Sequence, residues 1–256
     1  MIDLDRVRSL APGSPLAAHA ILLERTASTM DEARAAALGG RSPVLVVAEA
    51  QTAGRGREGR SWYSAPGESL TFTAAIGFAA GTPALASFTL AVGVALHRLL
   101  EKALGAGSAL TLKWPNDLLC SGRKIAGVLC EGLKGCADGR DVALVGVGLD
   151  VNSASFPPEI APIATSMRLV AGREFDRSTV LAGACAAIEG AAGAFAAGGI
   201  APFLTEYRSR CTLWGRRCRV GGVEGTMETV DGTGALVLVL ADGTTRAVDS
   251  GHVEII

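Results

Sequence analysis

Apolar and polar positions change their period several times along this chain, and each change marks an element. Residues 29–38 open on Thr29-x-x-Glu32, the spacing of a capping box, and close on Gly39–Gly40, which predicts a short helix. Residues 44–48 form a β-branched-rich apolar run and read as a buried strand. Residues 70–76 alternate apolar and small polar side chains, as a half-buried strand does. Thr82–Pro83 sets an N-cap before a proline suited to the first helical position. Leu85, Phe88, Val92, Leu96 and Leu99 then recur every three or four residues, which predicts a long amphipathic helix ending near Leu104–Gly105.

From Leu110 the pattern shortens. Residues 110–114, 117–120, 124–131 and 142–152 read as four strands, with turn chemistry at Ser121–Gly122 and Asp138–Gly139. Connections this short imply an antiparallel meander. Residues 153–165 are a Pro/Ser-rich connection, 178–197 an Ala/Gly-rich helix and 202–208 a short helix. Beyond Arg216 short strands recur at 218–220, 223–230, 236–240, 245–248 and 253–256, with turns at Asp231–Gly232 and Asp242–Gly243. Five strands in so short a stretch predict a small barrel.

Composition narrows the function classes. A chain of 256 residues with 49% hydrophobic content builds one sizeable core or a core with a small satellite. Its formal net charge of -1 argues against a protein that grips nucleic acid by bulk phosphate neutralisation, so any anion site must be local. No run of 18 apolar residues occurs, so no membrane span is expected, and residues 1–10 lack the apolar middle of a secretory signal. The six cysteines have no CxxC spacing and are expected to be reduced, which fits a cytoplasmic protein. His19, His97 and His252 form no HxH or HxxxH pair, so no zinc site is expected.

Two segments carry chemistry. Residues 54–62 read GRGREGRSW. Glycines give the backbone freedom and arginines offer charged forks, the makings of a mobile anion clamp; taken alone, the segment reads rather as a solvated surface loop. Gly54, Gly56 and Gly59 also match G-x-G-x-x-G, but no helix pattern follows, so a dinucleotide site is not indicated. No P-loop pattern occurs. Residues 113–131 read KWPNDLLCSGRKIAGVLCE. Lys113 and Lys124 at strand ends suit a site for a carboxylate and a triphosphate, or serve as ordinary edge lysines. Gly127 allows close approach of a ligand to the backbone.

Taken jointly, Ser28–Thr29, Glu49–Gln51, GRGREGRSW, KWPND at 113–117 with Lys124-x-x-Gly127, and Gly146-Val-Gly148 resemble the biotin–protein ligase family from about Leu22 onward. The resemblance implies an α+β fold. It comprises a mixed β-sheet flanked by helices, the class II synthetase-like catalytic domain of biotin and lipoate ligases, over residues 1–210, and an SH3-like barrel over 211–256. It implies an ATP-dependent ligase that makes biotinyl-5'-AMP and transfers biotin to a lysine of a biotin carboxyl carrier protein or carrier domain, with Mg²⁺ on the phosphates. Ser28, Thr29 and Gln51 would hold the ureido end of biotin. Gly54, Arg55, Gly56 and Arg57 would form the closing loop, Trp62 the apolar wall, and Gly127, Gly146 and Gly148 the floor. Arg57, Arg60, Lys113, Asn116, Asp117 and Lys124 would serve ATP, Lys124 also contacting the biotin carboxylate, with Lys124, Arg57 and Asp117 in the catalytic roles. Asp150 departs from the asparagine usual in the family, and His252 stands where an acid is common.

Only about twenty residues precede the resemblance. They leave no room for the DNA-binding winged helix of some relatives and are expected to be dispensable. No Arg-Arg-x-x-Gly-Gly motif points to the rival lipoate–protein ligases. Arg216, Arg217 and Arg219 are the one basic cluster from which a nucleic-acid-binding module would be argued. Neither nucleic acid nor membrane is an expected partner, and a homodimer through an exposed sheet edge stays open.

Overall fold

The computed structural model describes every residue except 83, 84, 106, 137 and 138. Seven strands build the main sheet: β1 (Ala20–Thr26), β2 (Val44–Gln51), β3 (Leu70–Phe78), β4 (Leu110–Lys113), β5 (Asp117–Cys120), β6 (Arg123–Leu133) and β7 (Asp141–Leu149). They run in the order β1-β2-β3-β7-β6-β5-β4. β1 and β2 pair in parallel and the other neighbours are antiparallel. The sheet is therefore mixed, and the meander over residues 110–149 stands as its pattern predicts.

The helices are α1 (Leu4–Leu10), α2 (Pro15–Ala18), α3 (Thr29–Leu38), α4 (Phe88–Leu104), α5 (Met167–Ala171), α6 (Arg177–Gly198) and α7 (Ala201–Arg210). α3 covers one face of the sheet, laying Met30, Ala33, Ala36 and Ala37 against Val44, Val46, Ala75, Val142 and Leu144. α4 and α6 cover the other face in a larger core, where Phe78, Phe88 and Phe195 stack with ring centroids 5.0–6.0 Å apart. By length and composition α6 is apolar enough to cross a membrane, but half of that stretch is buried inside the fold.

Five short strands form a second, antiparallel sheet: β8 (Arg217–Val220), β9 (Val223–Val230), β10 (Leu236–Val239), β11 (Thr245–Val248) and β12 (Glu254–Ile255), ordered β11-β10-β9-β8-β12. Its buried Cys218, Val220, Met227, Leu236 and Leu238 belong to the same apolar cluster as α4 and α6. Trp114 Nε1 donates to Gly234 O at 3.1 Å in a buried hydrogen bond, and the Arg208 guanidinium on α7 donates to Val230 O at 3.1 and 2.6 Å, so the second sheet is tied both to the end of β4 and to α7. In the basic cluster, Arg219 pairs with Glu224 at 2.5 Å and Glu254 at 3.3 Å, and Arg217 lies 4.0 Å from Glu224.

Some expectations need correction. The helix expected from Thr82–Pro83 begins at Phe88 after a 3-10 turn at Leu85–Ser87; Pro83 lies outside the described residues, as does Asp138 of the expected turn. Thr29 is not the cap of α3. Ser28 is, with its hydroxyl accepting from Met30 N, while Glu32 turns instead to accept from Thr26 Oγ1 at 2.8 Å.

Residues 1–20 are not a dispensable leader. Ile2, Val7, Leu16 and Ala17 are buried in the main core. Ile2 N donates to Glu49 Oε1 at 2.6 Å, and Leu16 N to Glu189 Oε1 at 2.8 Å. Glu49 itself pairs with the buried Arg177 at 2.8 Å. Burying a large aliphatic side chain is worth about 1.5–3 kcal/mol. Deleting residues 1–20 is thus expected to cost several kcal/mol and to lower the melting temperature by more than about 10 °C. A soluble truncation melting within a few degrees of the full chain would contradict this packing.

Candidate active site

The site grows out of side-chain alternation on the α3 face of the sheet. Along β7, Val142 and Leu144 lie beneath α3, and the next two residues on that face are Gly146 and Gly148. Apolar side chains stop where the helix stops, and glycine opens a cavity. Register extends this row sideways: Lys113 pairs with Asp117, Asp117 with Gly127, Gly127 with Gly148, and Gly148 with Thr71. Cross-strand partners share a face, so the row carries a cation, a carboxylate, two glycines and a hydroxyl.

Lys124 joins them through a bulge. It is three residues before Gly127, and strict alternation would send it to the opposite face. The β5–β6 register shifts between Leu118 and Leu119, so Leu118 faces Ala126 while Leu119 faces Lys124. The extra residue returns Lys124 to the face of Asp117, and its Nζ lies 2.6 Å from Asp117 Oδ1. Lys124 Nζ also stands 5.3 Å from the centroid of the Trp62 ring.

Trp62 explains the glycine floor. A Cβ at Gly148 would lie 2.2 Å from Trp62 Cε2, and one at Gly127 would lie 3.3 Å from Trp62 Cζ3. A Cβ at Gly146 would meet Met30 Cε at 2.7 Å. The closest approaches to this floor are therefore made by the indole and by Met30, rather than being reserved for a ligand. Trp62 Nε1 is buried and has no partner among the described residues.

At the α3 end the polar groups converge on Gln51. Its Oε1 accepts from Thr29 N at 2.8 Å and from Thr29 Oγ1 at 3.2 Å, which leaves the amide nitrogen as a donor without a partner among the described residues. Thr29 Oγ1 lies 2.9 Å from Thr73 Oγ1. Sequence reasoning missed Thr73, although it is completely buried and lines the cavity. Its signal was the small-polar alternation in β3, read only as evidence for a strand.

The segment 54–62 folds back as a narrow loop over this face. Trp62 N donates to Gly54 O at 2.9 Å, Gly56 N donates to Arg60 O at 2.7 Å, and Arg55 and Ser61 form a bridge. Arg55 pairs with Asp31 on α3. Arg60 reaches Glu58 at 3.5 Å and His252 Nδ1 at 3.2 Å. Among the described residues Arg57 makes no hydrogen bond or ion pair through its guanidinium.

One cavity of about 130 Å³ gathers Ser28, Thr29, Gln51, Arg55, Gly56, Arg57, Arg60, Trp62, Lys113, Asn116, Asp117, Lys124, Gly127, Gly146 and Gly148. Gly54 is the exception. It lies outside the cavity wall, where a Cβ would press on Trp62 O at 2.8 Å, so it lets the loop close on itself. Asn116 Nδ2 donates to Val128 O at 3.0 Å, which fixes the turn after Trp114.

Five basic side chains face two carboxylates, Glu58 and Asp117, in this cavity. Burial holds Lys113 below the usual lysine range, with Lys124 and Arg60 adding to the effect and Asp117 opposing it. Burial alone would disfavour an anion as well, but the repulsion from Lys124 and Arg60 marks a positive local field that favours one. Asp150 is turned away into the protein, where its carboxylate accepts from Ser69 Oγ at 3.1 Å. Burial pushes its pKa up to about 7, opposed by Ser69 and Lys124. No group of three His, Cys, Asp or Glu side chains suited to a metal occurs among the described residues.

Comparisons with known proteins show the family. The model of the Biotin/lipoate A/B protein ligase family matches residues 22–152, and that of the Biotin protein ligase C terminal domain matches residues 214–255. The biotin–[acetyl-CoA-carboxylase] ligase of Paracoccus denitrificans is 33% identical over 227 residues, covering 85% of this chain and 92% of that protein. The bifunctional ligase/repressor BirA of Bacillus subtilis is 30% identical over 217 residues, or 82% of this chain and 66% of that protein, so this chain spans just under two thirds of that relative. Among solved structures, the biotin protein ligase from Aquifex aeolicus in complex with biotin and ATP superposes with a TM-score of 0.79 at 26% identity, covering 93% of this chain and 98% of that one. The enzyme from Leishmania major in complex with biotinyl-5-AMP superposes with a TM-score of 0.57 at 26% identity, covering 91% and 99%. With both of its sheets matched in order, the chain belongs to the biotin protein ligase family.

Proposed function

We propose that this chain activates biotin with ATP as biotinyl-5'-AMP and transfers the biotinyl group to a lysine of a carboxylase carrier protein in the cytoplasm, where ATP is supplied. One observation carries the reading: a single cavity joins a tryptophan-walled glycine floor to a cluster of cations. The indole seated on that floor offers an apolar wall that suits a bicyclic ring. The Gln51–Thr29–Thr73 network suits a ureido group, with the Gln51 amide nitrogen donating to its carbonyl oxygen. Ser28 holds the start of α3 and so fixes Thr29.

In the first half-reaction the biotin carboxylate attacks the α-phosphorus of ATP, and pyrophosphate leaves. Two unit charges 4 Å apart repel by roughly 4 kcal/mol at an effective dielectric near 20. Lys124, Lys113, Arg57 and Arg60 offset that repulsion and stabilise the charge that builds up on phosphorus. Magnesium belongs to this scheme as part of the MgATP substrate, carried in on its phosphates. In the second half-reaction the carrier lysine attacks the acyl carbon and AMP leaves. Asp117 orients the incoming amine or takes its proton. The loop shields the mixed anhydride from water until the carrier arrives.

The reading predicts that the loop responds to ligand. Arg55, Arg57 and Arg60 are trypsin sites, and biotin with ATP is expected to protect them while lipoate with ATP does not. R57G is expected to release adenylate into solution and to label bystander lysines. Equal cleavage with and without saturating biotin and ATP would count against the clamp.

A further inference from the structure

We propose that His252 is a positioning residue that latches the arginine-rich loop to the C-terminal sheet and holds Arg60 over the triphosphate side of the cavity. The proposal rests on the ligase reading and extends it to a residue outside the main sheet. Gly251 and His252 are the residues of the segment between β11 and β12 that line the cavity. Gly251 has φ +135°, and a Cβ there would lie 2.8 Å from Val220 Cγ1. The chain therefore packs closely against Val220 of β8 just before His252, and the buried Val253 anchors it just after. The ring between these anchors is presented at the cavity rim, where Nδ1 accepts from Arg60 Nη1 at 3.2 Å.

The chemistry of the acceptor matters. A carboxylate at this point would hold Arg60 by cancelling its charge. A neutral imidazole orients the guanidinium and adds no negative charge to that of Glu58, 3.5 Å away, so more of the Arg60 charge is left for a phosphate. The charged groups acting on the ring are Arg60 and Glu58 of the loop, Lys113 at the end of β4 and Asp117 at the start of β5. Burial, Arg60 and Lys113 hold the imidazole below the usual histidine range, against Asp117 and Glu58. The neutral acceptor is therefore present at neutral pH and is lost as pH falls through that depressed value. Protonation turns Nδ1 into a donor facing another donor, and the latch opens.

Two measurements test this. First, the histidine ring signals are titrated by NMR in the wild type and in R60Q, with H252Q identifying the signal. The His252 midpoint is expected to rise when the Arg60 charge is removed, and an unchanged midpoint overturns the contact. Second, adenylate formation is measured against ATP concentration and pH. H252A is expected to raise KM for ATP about tenfold, the worth of one charge-assisted hydrogen bond, with KM for biotin unchanged and the acid limb flattened. H252Q, which keeps a neutral acceptor, is expected to hold KM near wild type while also flattening the acid limb. Wild-type KM in H252A, or equal impairment in both variants with the acid limb intact, overturns the proposal. A wild-type protein that forms no adenylate would instead count against the ligase reading, and the NMR titration would still decide the latch.

Discussion

K124A is expected to lower the rate of biotinyl-adenylate formation by about 10²- to 10³-fold, the usual cost of removing one preorganised charge from a transition state. Lys124 is the cation at which the two halves of the cavity meet. Its Nζ lies 2.6 Å from Asp117 and over the Trp62 ring, between the glycine floor and the remaining cations. The bulge in β6 holds it there at no cost to the flanking core, since Ile125 and Ala126 both point inward and are fully buried. The fold should survive, because Lys113 remains beside Asp117 to compensate the carboxylate. Comparable melting curves with an adenylation rate reduced as stated is the expected pair of results. An adenylation rate equal to wild type would remove Lys124 from the mechanism.

G148A is expected to abolish measurable biotin binding and to destabilise the fold by about 1–3 kcal/mol, as overpacking of a filled site does. Gly148 is hydrogen-bonded into the sheet between β3 and β6, so its backbone has little freedom to retreat. A methyl group there would stand 2.2–2.6 Å from three atoms of the Trp62 indole. The ring must lift, and with it the wall of the cavity and the loop that carries it. G127A makes a useful contrast, because its nearest neighbours are the flexible end of Lys124 at 3.1 Å and the ring edge at 3.3 Å. G190A on α6, with nothing within 4 Å, is the neutral control. Tryptophan fluorescence with a biotin titration checks all three. Wild-type affinity in G148A would mean that the indole does not form the wall.

The residues show why some of this was legible in sequence and some was not. GRGREGRSW alone reads as a solvated surface loop at least as readily as an anion clamp. It became informative beside KWPND and Lys124-x-x-Gly127, because three cationic segments converging on glycines have few explanations. The face on which Lys124 lies was not legible, since alternation from Gly127 gives the wrong answer and the bulge that corrects it has no sequence mark. β1 went unread because Leu22–Leu23 followed by Glu24–Arg25 shows no alternation, as suits an edge strand supported on one side by β2. α1 and α2 are 7 and 4 residues long, too short for a helical period, yet they bury Val7, Leu16 and Ala17, with Ile2 buried just before α1. Asp150 looked like an obstacle to phosphate. Its burial against Ser69 removes the conflict, and only tertiary packing reveals that.

The central claim is that one cavity joins biotin to AMP. Incubating the purified chain with biotin and MgATP, quenching, and analysing the small molecules by mass spectrometry tests it most directly. The account predicts biotinyl-5'-AMP and pyrophosphate in equal amounts, with no adenylate when lipoate replaces biotin and no accumulation in K124A. No biotinyl-5'-AMP from the wild-type chain, or lipoyl-AMP formed as readily, would contradict it.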